Sequence, residues 1–372
     1  MKIGIITYWK AKDNYGQILQ SFALQEYLRK HGHEPFLMRY NDNPRLEATF
    51  KWSRILIYLL KLPIYVSWFV KQKQMQNKVT KYEQSVVNVD RHFTDFMRTN
   101  IAHTEEVYTE ENIRQNPPVA DAYICGSDQI WAGDWAYYLD FAPDDKPKIA
   151  YAPSLGGLTK FPIEYEEHMK ALLARFSFIG MREQSGVDVC HRLGRKDAVK
   201  VVDPTLLLTR EDYDKVRIST KCDKPYLLMY ILGNPMACKV EEIFEYAKSR
   251  GLDVKYVTSG HADNHEHIYA QVGEWIDLIA NADMVITNSF HGTVFSLIYH
   301  TPFITIPLNN GYERMNTRVE ELLMEGGLTS QLYKGNLAQC HANPDFSQFD
   351  VYRKTQENFS HDCLAKYIPD NR

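Results

Sequence analysis

Two α/β domains, each built on a parallel β-sheet, are what this sequence predicts. Three observations carry that expectation. The chain has 372 residues, too many for one ordinary hydrophobic core. It opens as strand, loop, helix, strand, the start of a doubly wound sheet. From residue 225 onward, short apolar runs alternate regularly with helical stripes, which points to a second parallel sheet.

Residues 2–7 read as a buried strand that runs into a polar loop at 9–15. Apolar residues at 18, 19, 22, 23, 24, 27 and 28 then fall on one helical face, and Gly32 stands where a C-terminal cap belongs. Residues 35–40 form the next strand. The segment 45–116 is expected to be a charged helical insertion without a clean strand. Strands follow at 120–125, 148–152, 178–182 and 200–204. In the second half, strands are expected at 226–231, 254–258, 283–287 and 302–306, with helices at 237–250, 274–282 and 293–300. The expected domains are 1–205 and 225–335, joined by a linker within 205–224. A polar tail, 341–372, is expected to pack back on the first domain.

Composition narrows the function classes. Hydrophobic residues make up 44% and charged residues 24%, as in ordinary soluble globular proteins. A net charge of −4 offers no basic field, so a nucleic-acid partner is not expected. The six cysteines lack C-x-x-C spacing, which argues against a structural zinc and against a disulfide framework. The opening strand is not a signal peptide, and the expected setting is the cytoplasm. Residues 52–70 are strongly apolar and aromatic, but Lys61 and Pro63 interrupt them, so a spanning helix is a poor reading. They read first as a helical excursion packed on its own domain. The second reading is an interfacial segment at the inner membrane face.

Chemistry concentrates at strand-to-helix junctions. In Thr287-Asn288-Ser289-Phe290-His291-Gly292-Thr293 a strand ends and a helix begins. A capped helix start with small residues leaves backbone N–H groups open to an anion. His291 there can hold a phosphate or act as general acid or base, with a turn-filling histidine as the alternative. Asn288, Ser289, Gly292 and Thr293 are the binding candidates around it. Arg182 follows a buried strand and needs either an anionic ligand or an acidic neighbour. Gly126, Ser127 and Asp128 form another strand-end loop, where Asp128 can bind or deprotonate a sugar hydroxyl or simply serve as a turn residue. Gly16 and Gln17 lie at the first junction, which lacks the dinucleotide fingerprint G-x-G-x-x-G. Arg314 and Arg318, four apart, would share a helical face; either can reach a phosphate or carboxylate, and a solvated helix face is the first reading for at least one of them. His261, Asp263, His265, Glu266 and His267 lack H-E-x-x-H spacing and read as a polar loop. No metal and no cofactor are expected.

Together, Asn14-Tyr15-Gly16-Gln17, Gly126 to Trp131, Arg182 to Ser185, Asp203 to Leu208, Glu274-Trp275 and Asp283 to Gly292 resemble the polysaccharide pyruvyl transferase family. The resemblance covers most of residues 1–330. It implies a GT-B-like fold, with two Rossmann-like domains facing a cleft. It also implies phosphoenolpyruvate as donor and a sugar of a cell-surface polysaccharide (capsule or exopolysaccharide) or its lipid-linked precursor as acceptor. The product is a pyruvate ketal. By the same resemblance His291 matches the family's active-site histidine and Arg182 an arginine placed on the donor. Many members carry Arg two positions before that histidine, where this chain has Ser289; Arg314 or Arg318 is the expected replacement. The alternatives are a nucleotide-sugar-dependent glycosyltransferase on the same fold and a non-catalytic sugar- or phosphate-binding member.

Overall fold

The computed structural model describes residues 1–11, 13–41, 66, 70, 73, 89–132, 134–222, 224–233, 235–260, 263–340 and 343–370. The apolar segment 52–70 therefore lies outside the described residues, apart from Val66 and Val70, which are both exposed. Among the described residues no helix is long and apolar enough to cross a membrane.

The chain begins with β1 (Lys2–Ile6), α1 (Tyr15–Lys30), β2 (Glu34–Tyr40), α2 (Phe93–Asn100), β3 (His103–Tyr108), α3 (Glu110–Gln115) and β4 (Ala122–Cys125). It continues with β5 (Lys148–Tyr151), α4 (Ile163–Leu173), β6 (Phe178–Met181), α5 (Gln184–Arg192) and β7 (Val199–Lys200). Then come α6 (Arg210–Asp214), β8 (Tyr226–Leu232), α7 (Val240–Ser249), β9 (Asp253–Ser259), α8 (Val272–Ala280) and β10 (Met284–Thr287). The last elements are α9 (Phe290–Tyr299), β11 (Phe303–Thr305), α10 (Thr317–Glu325) and α11 (Ser347–Ala365).

Packing divides the chain into two units. Unit one comprises Met1–Thr7, Glu34–Asn88 and His103–Lys200; unit two comprises Tyr8–His33, Val89–Ala102 and Val201–Arg372. Thus α1 follows β1 in sequence yet packs with unit two.

Unit one holds a 7-stranded sheet in the order β3-β2-β1-β4-β5-β6-β7, and every strand pair in it is parallel. Strands β4, β5 and β6 are buried along their whole length, as strands covered on both faces must be. This is why they stood out as apolar runs. Strand β3 corrects the expectation that 45–116 contains no strand. It is an edge strand whose Glu105 and Glu106 face solvent, and charged edges look unlike sheet in sequence. The strand expected at 200–204 shortens to Val199–Lys200. Pro204 lacks an N–H for the ladder and instead opens a 3₁₀ turn, Pro204–Leu207.

Unit two holds a 4-stranded parallel sheet in the order β11-β10-β8-β9. An aromatic cluster fixes α1 in this unit. Tyr15 stacks on Trp275 at 4.9 Å, and Tyr230 meets both rings edge-on. The Tyr15 hydroxyl donates to the Ala270 carbonyl at 2.6 Å. Such ring pairs each add about 0.5–1.5 kcal/mol beyond burial, so the first turn of α1 is firmly placed. The C-terminal helix α11 also packs within unit two: Arg353 donates to the carbonyls of Leu206 and Leu208. All six cysteines are free thiols.

Candidate functional site

In unit two, β10 ends and α9 begins around a web of short polar side chains. Thr287 Oγ1 donates to the Tyr230 carbonyl and accepts from Ser289 N–H. Asn288 uses both ends of its amide on the backbone of Leu232, at 2.7 and 3.0 Å. Ser289 Oγ caps α9 by accepting from Gly292 N–H at 3.2 Å. Thr293 Oγ1 bonds the Ser289 carbonyl and Thr305. A Cβ on Gly292 would come within 2.5 Å of Thr287 Oγ1. These contacts give Asn288, Gly292 and Thr293 a role in the fold: they hold the start of α9 rigid.

His291, the second residue of α9, is the product of that rigidity. Its ring lies directly on Gly16, the second residue of α1: a Cβ built on Gly16 would fall 2.0 Å from His291 Nδ1. The first turn of α1, capped by Asn14 Oδ1 on Gln17 N–H, therefore meets the first turn of α9 at this imidazole. Both helix starts direct partial positive charge and unbonded N–H groups toward one place, which favours an anion. The other ring nitrogen, Nε2, is buried without a hydrogen bond and lies 3.5 Å from Asp203 Oδ2. That is ion-pair distance rather than a formed hydrogen bond. Asp203 is held in turn by Thr205, whose N–H and hydroxyl both donate to its other oxygen at 3.0 and 2.7 Å. A buried carboxylate behind a histidine fixes ring orientation and stabilises the protonated ring.

In unit one, Arg182 stands at the end of β6 with its side chain fully buried. It donates to Ser127 Oγ at 3.3 Å and lies 3.7 Å from Asp128 and 4.0 Å from Glu183. Glu183 accepts from the Ser154 hydroxyl and Leu155 N–H. Asp128 sits in the left-handed region, φ 84°, and accepts from Gln129 N–H. The Ser127 carbonyl accepts from Thr7, and Gly126 N–H donates to the Ile6 carbonyl. The structure thus gives Arg182 the acidic neighbours that its burial demands. Replacing Arg182 by alanine leaves Asp128 and Glu183 uncompensated and is expected to lower stability by about 3–5 kcal/mol. A urea titration checks this; an unchanged midpoint would show that the guanidinium does not hold the network.

A family comparison decides what kind of protein this is. The model of the polysaccharide pyruvyl transferase family matches residues 14–310, most of the chain. The chain belongs to the polysaccharide pyruvyl transferase family. Among solved structures, the UDP-GlcNAc 2-epimerase of Methanocaldococcus jannaschii is similar at 13% identity and TM-score 0.54, covering 98% of this chain and 99% of that one. The same enzyme with UDP-GlcNAc and UDP aligns at 14% identity and TM-score 0.48, with 98% and 99% covered. The epimerase of Rickettsia bellii aligns at 11% identity and TM-score 0.49, with 99% and 97% covered. The first of these supports the GT-B-like fold with two Rossmann-like sheets. No curated protein matches the sequence significantly.

In this family member the two expected replacement arginines do not share a helix. Arg314 lies in a 3₁₀ turn, Glu313–Met315, and is exposed, whereas Arg318 is in α10. Asn316 separates them, because both ends of its side chain are bonded to the backbone of Leu308. Arg318 is the one brought to the site: its guanidinium lies 5.5 Å from the Phe290 ring, at the start of α9. In the histidine-rich loop, Asp263 pairs with His267 at 2.9 Å and accepts from Tyr256, while His265 stacks on Phe244. His261 lies outside the described residues. The sequence reading missed Asp203 as a site residue. The signal was present in Asp203-Pro204-Thr205, a carboxylate at a strand end beside a turn-forming proline, but its partner is far away in sequence.

Proposed function

We propose that the protein transfers a pyruvyl group from phosphoenolpyruvate to two hydroxyls of one sugar in a polysaccharide or its precursor. The observation that carries this reading is His291, set where the starts of α1 and α9 meet and backed by the buried Asp203. Phosphoenolpyruvate brings a phosphate and a carboxylate, which suit paired helix N-termini and a neighbouring arginine such as Arg318. With Nε2 turned to Asp203, Nδ1 is the nitrogen that hands a proton to the methylene carbon. The donor then becomes an oxocarbenium ion at its central carbon. One sugar hydroxyl adds there and loses its proton. The C–O bond to phosphate breaks, inorganic phosphate leaves, and the second hydroxyl closes the ketal as it loses its own proton. Asp203 steadies the imidazolium before transfer and holds the ring in place afterwards.

A thermal-shift titration with phosphoenolpyruvate, run beside UDP and a UDP-sugar, tests the donor. At 100 times its dissociation constant a ligand adds about 2.7 kcal/mol of stability. The expected result is a clear rise in Tm with phosphoenolpyruvate alone. A rise with the nucleotides alone would replace this reading by glycosyl transfer.

A further inference from the structure

Far along the chain from His291, the other end of α1 carries a cluster that the pyruvyl-transfer reading does not use. His31 is the C-cap residue of α1, His361 lies in α11, and Asp370 follows that helix. One ligand atom from each of the three lies within 4.8 Å of the others, and all three side chains are partly accessible. We propose that His31, His361 and Asp370 bind a transition-metal cation of the zinc type, which clips α11 to the end of α1.

The hydrogen bonds around the cluster prepare it for a cation. His31 Nδ1 lies 2.8 Å from the Tyr27 carbonyl. A carbonyl only accepts, so Nδ1 carries the proton and Nε2 keeps its lone pair. The hydroxyl of the same Tyr27 meets His361 Nδ1 at 3.2 Å. One tyrosine thus braces both imidazoles from behind, the arrangement that orients histidine ligands in metal sites. The C-terminal end of the α1 dipole adds partial negative charge where a cation would sit. Two imidazoles and one carboxylate select zinc, nickel or copper over magnesium and calcium, which prefer all-oxygen shells. Water is free to complete the coordination on the accessible side. The sequence could not show this site, because His31 and Asp370 stand near opposite ends of the chain.

The test is isothermal titration of the chelator-treated full chain with zinc chloride, with magnesium chloride alongside and cobalt(II) absorption as a second probe. One zinc per chain is expected, with no magnesium binding and with visible cobalt bands. His361→Ala, at a partly accessible position the fold tolerates, should abolish both signals. Tyr27→Phe should keep the site but weaken zinc about tenfold. His267→Ala, in the separate histidine loop, should bind as the parent does. Absence of zinc binding, or binding that His361→Ala leaves unchanged, overturns the proposal.

Discussion

Replacing His291 by alanine is expected to lower turnover about 100- to 10,000-fold, the range typical for loss of a positioned acid or base. The fold should survive. His291 is buried at the start of α9, but the caps that start that helix belong to Ser289 and Thr287 rather than to the imidazole. Steady-state release of inorganic phosphate from phosphoenolpyruvate, measured with an acceptor sugar present, reads the effect. Circular dichroism confirms that the variant is folded. If the imidazole is the proton donor, kcat should fall far more than the affinity for phosphoenolpyruvate, because the helix starts still bind the anion. A variant with unchanged kcat and weakened donor affinity would make His291 a binding group. Near-parent turnover would remove it from the chemistry.

Much of this arrangement was legible in the sequence, and the reasons are physical. Strands buried on both faces, such as β4, β6 and β10, must be apolar throughout, so they announced themselves. The junction at Ser289 and His291 was visible as a capped helix start. Helix α9 nevertheless begins at Phe290, three residues before the expected Thr293, because the Ser289 cap sets the boundary rather than the apolar stripe. Helix α1 likewise begins at Tyr15, fixed by Asn14 and by the stacking of Tyr15 on Trp275. Long-range pairings stayed hidden. Nothing local ties Asp203 to His291, and Arg182 gives no sign in sequence of whether it meets a ligand or, as here, Asp128 and Glu183. Edge strand β3 was missed for the opposite reason, since its exposed glutamates mask a real strand.

The meeting of α1 and α9 yields the second large prediction. Gly16 has an ordinary helical place in α1, so alanine there is conformationally acceptable and a better helix former. The obstacle is the imidazole: the new Cβ would lie 2.0 Å from Nδ1, 2.4 Å from Cγ and 2.7 Å from Cε1 of His291. No contact that short is tolerated, and the neighbour cannot yield cheaply, because Asp203 stands 3.5 Å behind the ring and the start of α9 is pinned by its caps. The imidazole must therefore rotate off Gly16 and away from Asp203. Gly16→Ala is expected to reduce kcat about a hundredfold, since misplacing a reacting group by 1 Å costs that much. It should also bind phosphoenolpyruvate less tightly, because the methyl group and the displaced imidazole crowd the place where the two helix starts meet. The control is Gly251→Ala at the end of α7, where a Cβ meets nothing within 4 Å; its left-handed backbone strains the fold but leaves His291 untouched. Kinetics of the two variants, compared at matched folded fraction, separate a lost site from lost stability. Parent-like kcat in Gly16→Ala would mean that the ring need not rest on α1 for catalysis. A loss confined to Gly16→Ala would show that catalysis needs the imidazole seated on α1, where that helix has no side chain.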